Sequence, residues 1–398
     1  LNMFRPSPFS WLSIYYGTFF FAYGVYLPFW SVWLAYMGLS ADDIGIVIGA
    51  GVMTRFVMNL AVTPRFHLPT HLLPALRAIS FVGALFGFLH LAATPDLLWL
   101  TVLSVLINCS IGPSVPISDA LANHYNQRNL LDYGKTRLWG SLAFVLGSTV
   151  TGRVAEHFGP QSIIVLAAVG LLATGFWTLL SPSVLPLNDT ASQPVRPKLS
   201  VVIKSKEVLT FVLLVSLIQG SHAAYYAFSS VHWIKSGISD STVGYLWSIG
   251  VVVEVTMFAF SRRLFGHWAV QSLFRLAALA VIVRWGLTGW STDVGVLVFA
   301  QSLHGVTFGL AHIAAMRYIQ HQPSDKLMAM QALYNAIPLG AAMAILTMVS
   351  GMLYSWLQGD AFYVMAALGI PALFLTLPKN QEQNVGVSAK SEETAQRE

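Results

Sequence analysis

The chain is expected to be an all-α membrane protein: twelve transmembrane helices in two pseudo-symmetric six-helix bundles, both termini cytoplasmic. Three observations predict this. Of the 398 residues 55% are hydrophobic and only 10% are charged, against roughly 25% charged in an ordinary soluble protein. Apolar segments long enough for a ~30 Å hydrocarbon core recur from end to end, separated by short polar or Gly/Pro breaks. A single internal offset also relates the first half of the chain to the second.

The predicted spans are 9–37, 42–63, 72–93, 96–124, 132–156, 160–181, 207–236, 240–262, 267–290, 293–321, 325–355 and 359–378. Backbone groups in lipid must pair within the chain, so each span should be a helix; the short alternating segments of a barrel are absent from the sequence. The longer spans should tilt or run beyond the bilayer. Between spans six and seven lies PSVLPLNDTASQPVRPKLSVVIKSKE, the only long polar connector. It divides the chain into a bundle at 1–181, a cytoplasmic linker at 182–206 and a second bundle at 207–378. The polar tail at 379–398 reads as disordered.

Orientation follows from the basic residues. With the N-terminus inside, sixteen of the 22 Lys and Arg fall in the termini or cytoplasmic loops, and only Arg153 and Lys235 fall outside. That asymmetry places both termini in the cytoplasm of a multi-pass inner-membrane protein. The sequence pI of about 9.3 therefore reports topology, and no nucleic-acid partner is expected. The one cysteine, Cys109, excludes an internal disulfide. No small-residue cleavage site follows the first apolar segment, so no cleaved signal peptide is expected. The protein is expected to act as a monomer in the lipid bilayer.

Writing YGVYLPFWSVWLAYMGLSADDIG (23–45) above HAAYYAFSSVHWIKSGISDSTVG (222–244) pairs Tyr26 with Tyr225, Phe29 with Phe228, Gly38 with Gly237 and Gly45 with Gly244, at a constant offset of 199. The register continues through Gly51 with Gly250 and Gly152 with Gly351. Such a duplication is characteristic of transporters. It also makes Arg55 the counterpart of Glu254, so the two halves place opposite charges at equivalent positions.

Beyond the charges that gather toward the loops, the spans carry two acids, Asp119 and Glu254, and four bases, Arg55, Arg137, Arg284 and Arg317. Depth can be counted at ~1.5 Å per residue from the nearest loop. Asp119 and Arg137 then lie at one level, about nine residues either side of their loop. A bundle-locking ion pair and a role in substrate or proton handling both fit them. Glu254 sits about ten residues from its loop, near the level of His312 and Arg55, with Arg284 and His304 roughly twice as deep. An isolated carboxylate in an apolar span should face the interior or a wet cavity, where it can change protonation state. Arg317 lies close enough to a span end to reach the interface.

Aromatic residues mark the expected cavity face. His222, Tyr226, Ser229 and Trp233 share one side of span seven; Tyr16, Phe20, Tyr23 and Trp30 share one side of span one. A cavity lined by rings and carrying arginine suits a ligand with an apolar body and one anionic end. The histidine spacings match no metal motif and there is no phosphate-binding glycine loop, so neither a metal, a cofactor nor ATP is expected, and an ion gradient is the natural energy source.

The runs PFWSVWL (28–34), SDALAN (118–123), LDYGKTRLWGSLAFVLGS (131–148), QGSHAAYYAFS (219–229), GYLWSIGVVVEV (244–255) and AAMRYIQ (314–320) resemble the bacterial 3-phenylpropionate (hydrocinnamate) transporter family of the major facilitator superfamily. The resemblance spans nearly all of the chain and implies the two-bundle facilitator fold, alternating access and proton symport of phenylpropanoid acids. More distantly, Asp119 and Arg137 within KTRLWG are similar to the Glu/Arg sugar-contacting pair of the lactose permease branch, and Glu254 resembles that branch's acidic residue in helix eight. The superfamily's Gly-x-x-x-Asp-x-x-Gly-Arg loop is replaced here by PRFHLPTHLLPALR (64–77), which removes its usual charge latch.

The resulting expectation is a non-enzymatic secondary transporter that imports an aromatic monocarboxylate with a proton. Its carboxylate is expected on Arg137 or Arg284, its ring among Tyr23, Trp30, Trp139, His222 and Tyr226. Glu254, assisted by Asp119 or His312, carries the proton, and Arg55 is an inter-helix charge partner. The alternatives are a proton-coupled sugar or nucleoside symporter of the same fold, an exporter, and a membrane-bound enzyme or sensor, for which no soluble domain is present.

Overall fold

The computed structural model describes residues 5–66, 68–188 and 205–378, and every regular element among them is helical. Most of the expected linker, residues 189–204, and the tail at 379–398 lie outside the described residues.

The first half supplies α1 (Pro8–Tyr36), α2 (Ala41–Ala61), α3 (Pro69–Leu89), α4 (Leu97–Gln127), α5 (Tyr133–Phe158) and α6 (Gln161–Leu179). Side chains cap four of these helices: Ser7, Ser40, Asp96 and Asp132 each accept a bond from the backbone N–H three residues on, satisfying a donor that the first turn leaves open.

Helices of the second half are more interrupted. α7 (Lys206–Gly220) and α8 (Ala223–Lys235) meet at a turn over Ser221 and His222. α9 (Asp240–Phe265) and α10 (Val270–Trp290) are continuous. α11 (Val294–Ser302) continues through a π-helical turn, Gly305–Leu310, into α12 (Ala311–Gln320). A second π turn, Ile337–Ala342, joins α13 (Ser324–Ala336) to α14 (Met343–Leu357), and α15 (Ala361–Ala367) and α16 (Gly369–Phe374) follow. Such π turns change which side chains a helix aims inward and cluster at functional sites.

Ten helical stretches among the described residues are long and apolar enough to cross a membrane. They differ from the expected spans in two places. α5 is not among them, because Lys135, Arg137, Arg153, Glu156 and His157 make it too polar. It packs against α1, α6 and α9, so much of its surface meets protein. The other difference is that Lys326–Phe374 forms one apolar stretch where two spans, 325–355 and 359–378, are expected; its divide is the short turn Gln358–Asp360.

The repeat is visible in the backbone. Gly38 after α1 and Gly237 after α8 adopt φ of 87° and 91°, a left-handed conformation that favours glycine. In both corners the next N–H reaches back to a carbonyl of the helix, Leu39 to Leu34 and Ile238 to Trp233. In both, a serine then caps the following helix, Ser40 on α2 and Ser239 on α9.

Between the halves α2 meets α14, α5 meets α9 and α1 meets α8. Glycines allow these backbones to approach: Gly45 packs on Gly351, Gly152 on the Asp240 carbonyl and Gly244 on the Ser148 carbonyl. Beside them Ser248 bonds Ser148 at 2.9 Å and Thr149 at 3.0 Å, Arg153 Nη2 donates to Tyr245 at 2.6 Å, and the Ser241 N–H donates to Glu156 at 3.1 Å. All these contacts lie toward the end of the molecule that carries the turns at 37–40, 159–160 and 236–239. Toward the opposite end, a cavity of about 860 Å³ opens between α9 and α12, lined by residues including Phe258, Arg262, His312, Met316 and Arg317. The tight glycine contacts between the halves thus gather toward one end, and this cavity lies within the second half toward the other.

Candidate functional site

Arg284 lies at the centre of the second half, 0% exposed on α10. A buried guanidinium is costly unless its donors are satisfied. Its Nη1 donates to His304 Nδ1 at 2.8 Å and to Thr307 Oγ1 at 2.9 Å, and its Nη2 donates to Gln301 Oε1 at 2.7 Å. Spaced three residues apart, Gln301, His304 and Thr307 fall on one side of α11 and its π turn. The rings of Tyr225 and Trp285 lie 4.8 and 4.2 Å from the guanidinium carbon, and Tyr225 accepts from Gln301 Nε2 at 3.2 Å. Among the described residues no carboxylate lies within ion-pair distance of Arg284.

Hydrogen-bond valence fixes the protons around it. Arginine only donates, so His304 Nδ1 holds a lone pair and the neutral ring carries its proton on Nε2. That nitrogen stands 3.1 Å from Glu254 Oε2, so Arg284 and Glu254 are joined through the imidazole. His222 is set the opposite way. Its Nδ1 donates to the Gln219 carbonyl at 3.1 Å, and its Nε2 accepts from Thr307 Oγ1, also at 3.1 Å. Tyr226 stacks on His222 at 5.9 Å. Glu254 keeps 22% of its side chain exposed, and Gly309 lets the π turn pack on its aliphatic stem.

The first half holds a second cation of the same kind. Arg55 Nε donates to Asn108 Oδ1 at 2.5 Å and Nη1 to Tyr23 at 2.9 Å, while Asn108 Nδ2 donates to Tyr26 at 2.9 Å. No carboxylate among the described residues pairs with Arg55 either. Nearby, Asp119 accepts from Tyr16 at 2.7 Å, and Arg137 Nε lies 3.7 Å from Asp119 Oδ1 with its guanidinium 4.1 Å above the Phe20 ring. The Asp119–Arg137 pair is a loose contact, and both side chains remain partly exposed.

The structure thus gathers Glu254, Arg284, His222 and Tyr226 around one network, Arg55 with Tyr23, and Asp119 with Arg137. Other expected placements differ. Glu254 bonds His304 and not His312, which instead pairs with Tyr334 at 2.6 Å and faces the open cavity. Counting depth treats helices as straight rods, and the π turn beside His304 breaks that assumption. Arg55 and Glu254, equivalent by repeat, form no ion pair. Trp30 is buried inside the first half, 4.3 Å from Tyr26 and 4.8 Å from His90. Trp139 is 50% exposed, on the side of α5 that carries Leu142 and Leu146 and away from Arg137. Arg317 donates to the Phe265 carbonyl at 2.8 Å.

Sequence reasoning gave no role to His304, Gln301, Thr307, Tyr225 or Asn108. The repeat carried a signal for three of them. Asn108 and Thr307 stand 199 residues apart and each accepts from an arginine, half-buried Arg55 and buried Arg284; Tyr26 and Tyr225, the same distance apart, each accept from the neighbouring amide.

The chain matches the MFS_1 like family over residues 9–365. It is 40% identical over 365 residues to the probable 3-phenylpropionic acid transporter of Escherichia coli strain K12, covering 92% of this chain and 96% of that one. It is 26% identical over 391 residues to the maltose permease of Geobacillus stearothermophilus, covering 94% and 95%. Its fold superposes on the nucleoside transporter NupG with a TM-score of 0.80 at 14% identity, over 94% of this chain and 98% of that one; at that identity the likeness concerns fold alone. With this fold, ten apolar membrane stretches and a match that runs nearly from end to end, the chain belongs to the MFS_1 like family of major facilitator transporters of the bacterial inner membrane.

Proposed function

We propose that the protein imports 3-phenylpropionate or a related aromatic monocarboxylate together with a proton, by alternating access. In this reading the chain crosses the membrane twelve times, with α5 adding one span and the stretch α13 to α16 holding two. The bundles 1–181 and 207–378 then rock about the linker 182–206, and the protein works as a monomer with both termini in the cytoplasm. Basic-residue asymmetry orients outward the end where the glycine contacts join the halves, and that contact pattern supports an inward-facing reading.

The observation that carries the substrate class is Arg284, a fully buried guanidinium with aromatic walls and no carboxylate in contact among the described residues. A substrate carboxylate completes the missing ion pair, and the rings of Tyr225, Tyr226 and His222 receive the phenyl group. Arg137 and Tyr23 face it from the first half. The 40% identical relative supports the same class. Glu254 with His304 forms the proton-binding unit, while Asp119 and His312 serve the route to it. One proton per anion makes the cycle electroneutral, so dependence of uptake on membrane potential counts against that stoichiometry.

The test is uptake of labelled 3-phenylpropionate into proteoliposomes under an imposed pH gradient. Wild type should accumulate it. Arg284→Gln should lose binding by about 3 kcal/mol, roughly a hundredfold, as for truncation of one partner of a buried charge pair. Glu254→Gln should abolish accumulation while exchange across the membrane survives. Absence of phenylpropionate movement in wild type overturns the substrate class.

A second reading is favoured by Asp119, which accepts from Tyr16 beside the donor Arg137. An acceptor and a donor side by side suit the hydroxyls of a sugar or nucleoside, and the maltose permease is a full-length relative. Competition of uptake by maltose or a nucleoside distinguishes the two.

A further inference from the structure

We propose that His304 is the group that binds the coupled proton, and that Arg284 controls when it can do so; the proposal rests on the carboxylate site at Arg284. In the structure both ring nitrogens of His304 are engaged. Nδ1 accepts from Arg284 Nη1 at 2.8 Å and Nε2–H points to Glu254 at 3.1 Å. A neutral imidazole in this state offers no lone pair to a proton. While Arg284 stays in place, His304 is locked neutral.

A substrate carboxylate competes for the same arginine N–H. Guanidinium bonds to a carboxylate are charge-assisted and stronger than those to a neutral ring. When Nη1 turns to the substrate, the Nδ1 lone pair is freed and accepts a proton delivered by water. One N–H bond forms at Nδ1, the donor water chain loses one O–H, and no protein bond breaks. His304 becomes an imidazolium whose Nε2–H remains on Glu254, now as an ion pair. The added positive charge balances the substrate's negative charge.

The groups facing His304 agree with this assignment. α10 presents Arg284; the α7–α8 turn presents His222, ring to ring at 5.7 Å; α8 presents Tyr225 at 6.2 Å; and the π turn presents Thr307. Glu254 on α9 is the acid in contact with the ring. An imidazolium beside an unneutralised Arg284 is repelled, and one beside a substrate-paired Arg284 is not. Proton and substrate therefore bind together. Protonation of Glu254 alone would give no such coupling, because Glu254 can accept a proton on its other oxygen with Arg284 still seated on Nδ1.

The experiment uses the full chain in nanodiscs with two readouts. Proton uptake is measured in weak buffer as 3-phenylpropionate is added, and ¹⁵N spectra of histidine-labelled protein report His304, assigned by its loss in His304→Gln. Wild type should take up roughly one proton per substrate bound, and His304→Gln close to none. Without substrate, wild-type His304 should stay protonated at Nε2 only through mildly acidic pH, whereas Arg284→Gln should let it gain the second proton. Arg284→Met, which removes both the donor and the charge, serves if the glutamine variant does not fold. Full proton uptake by His304→Gln, or an Nδ1-protonated His304 in the substrate-free wild type, overturns the proposal. If 3-phenylpropionate does not bind, the substrate reading fails, and the substrate-free spectra still decide the Arg284 lock.

Discussion

Gly45 on α2 packs so tightly on Gly351 of α14 that a Cβ at Gly45 would stand 2.7 Å from the Gly351 Cα. Their repeat counterparts, Gly244 and Gly152, make the matching approach between α9 and α5, each against a backbone carbonyl of the other helix. Closure of this end therefore depends on four positions without side chains. Gly45→Val or Gly351→Val should hold it open and arrest uptake. The check is Ser248→Cys, placed at the closed α5–α9 contact in a Cys109→Ser background. Its labelling by an impermeant maleimide should rise in the valine variants. Gly17→Ala, where a Cβ meets nothing within 4 Å, should leave labelling and uptake unchanged.

Asn108 holds Arg55 through Oδ1 and Tyr26 through Nδ2, and its side chain is fully buried. Asn108→Ala removes an acceptor from a guanidinium, and hydrogen bonds to charged groups contribute about 1.5–3 kcal/mol. The expected outcome is a clear fall in Tm in detergent, with Arg55→Gln falling less in the alanine background than in wild type because the two share one network. Additive losses would show that they act separately.

Asp119 and Arg137 separate the two substrate classes. Asp119→Asn keeps an acceptor for Tyr16 but removes the charge that partly neutralises Arg137. Because the ion pair is loose and partly exposed, stability should change by less than about 1 kcal/mol. An anionic substrate should then bind several-fold more tightly, since Arg137 is left uncompensated. Recognition of a neutral sugar through the Asp119 acceptor should weaken instead. The apparent KM for phenylpropionate and inhibition by maltose, measured on one preparation, give the sign.

Much of the fold is legible in the sequence because lipid imposes length and polarity on each helix, and because the duplication fixes corners such as Gly38–Ser40 and Gly237–Ser239. α5 breaks the apolar pattern since its polar residues meet other helices. The site is less legible. Charge patterning points to Glu254 and Arg284, but their connection runs through His304, whose position depends on a π turn that no local pattern announces. Periodicity groups residues on a helix face without saying which face turns inward, and a shared aromatic stripe gives Trp30 and Tyr23 equal standing although Trp30 is packed against His90 and Tyr23 bonds Arg55.

Trp139 tests that distinction directly. It lies two residues from Arg137, a separation of about 200° around a helix, so one of the two faces the interior and the other does not. Trp139, Leu142 and Leu146 are 50, 52 and 56% exposed, which forms a stripe suited to lipid. Arg137 instead sits over Phe20 of α1. Trp139→Leu exchanges one lipid-compatible side chain for another and should leave the KM and maximal uptake rate within about twofold, in the range of substitutions away from packed features. Tyr226→Leu, which removes the ring stacked on His222, should raise the KM for phenylpropionate by tenfold or so, since aromatic contacts contribute about 0.5–1.5 kcal/mol beyond area burial. A large KM effect at Trp139 with none at Tyr226 would move the ring site out of the second half and onto α5.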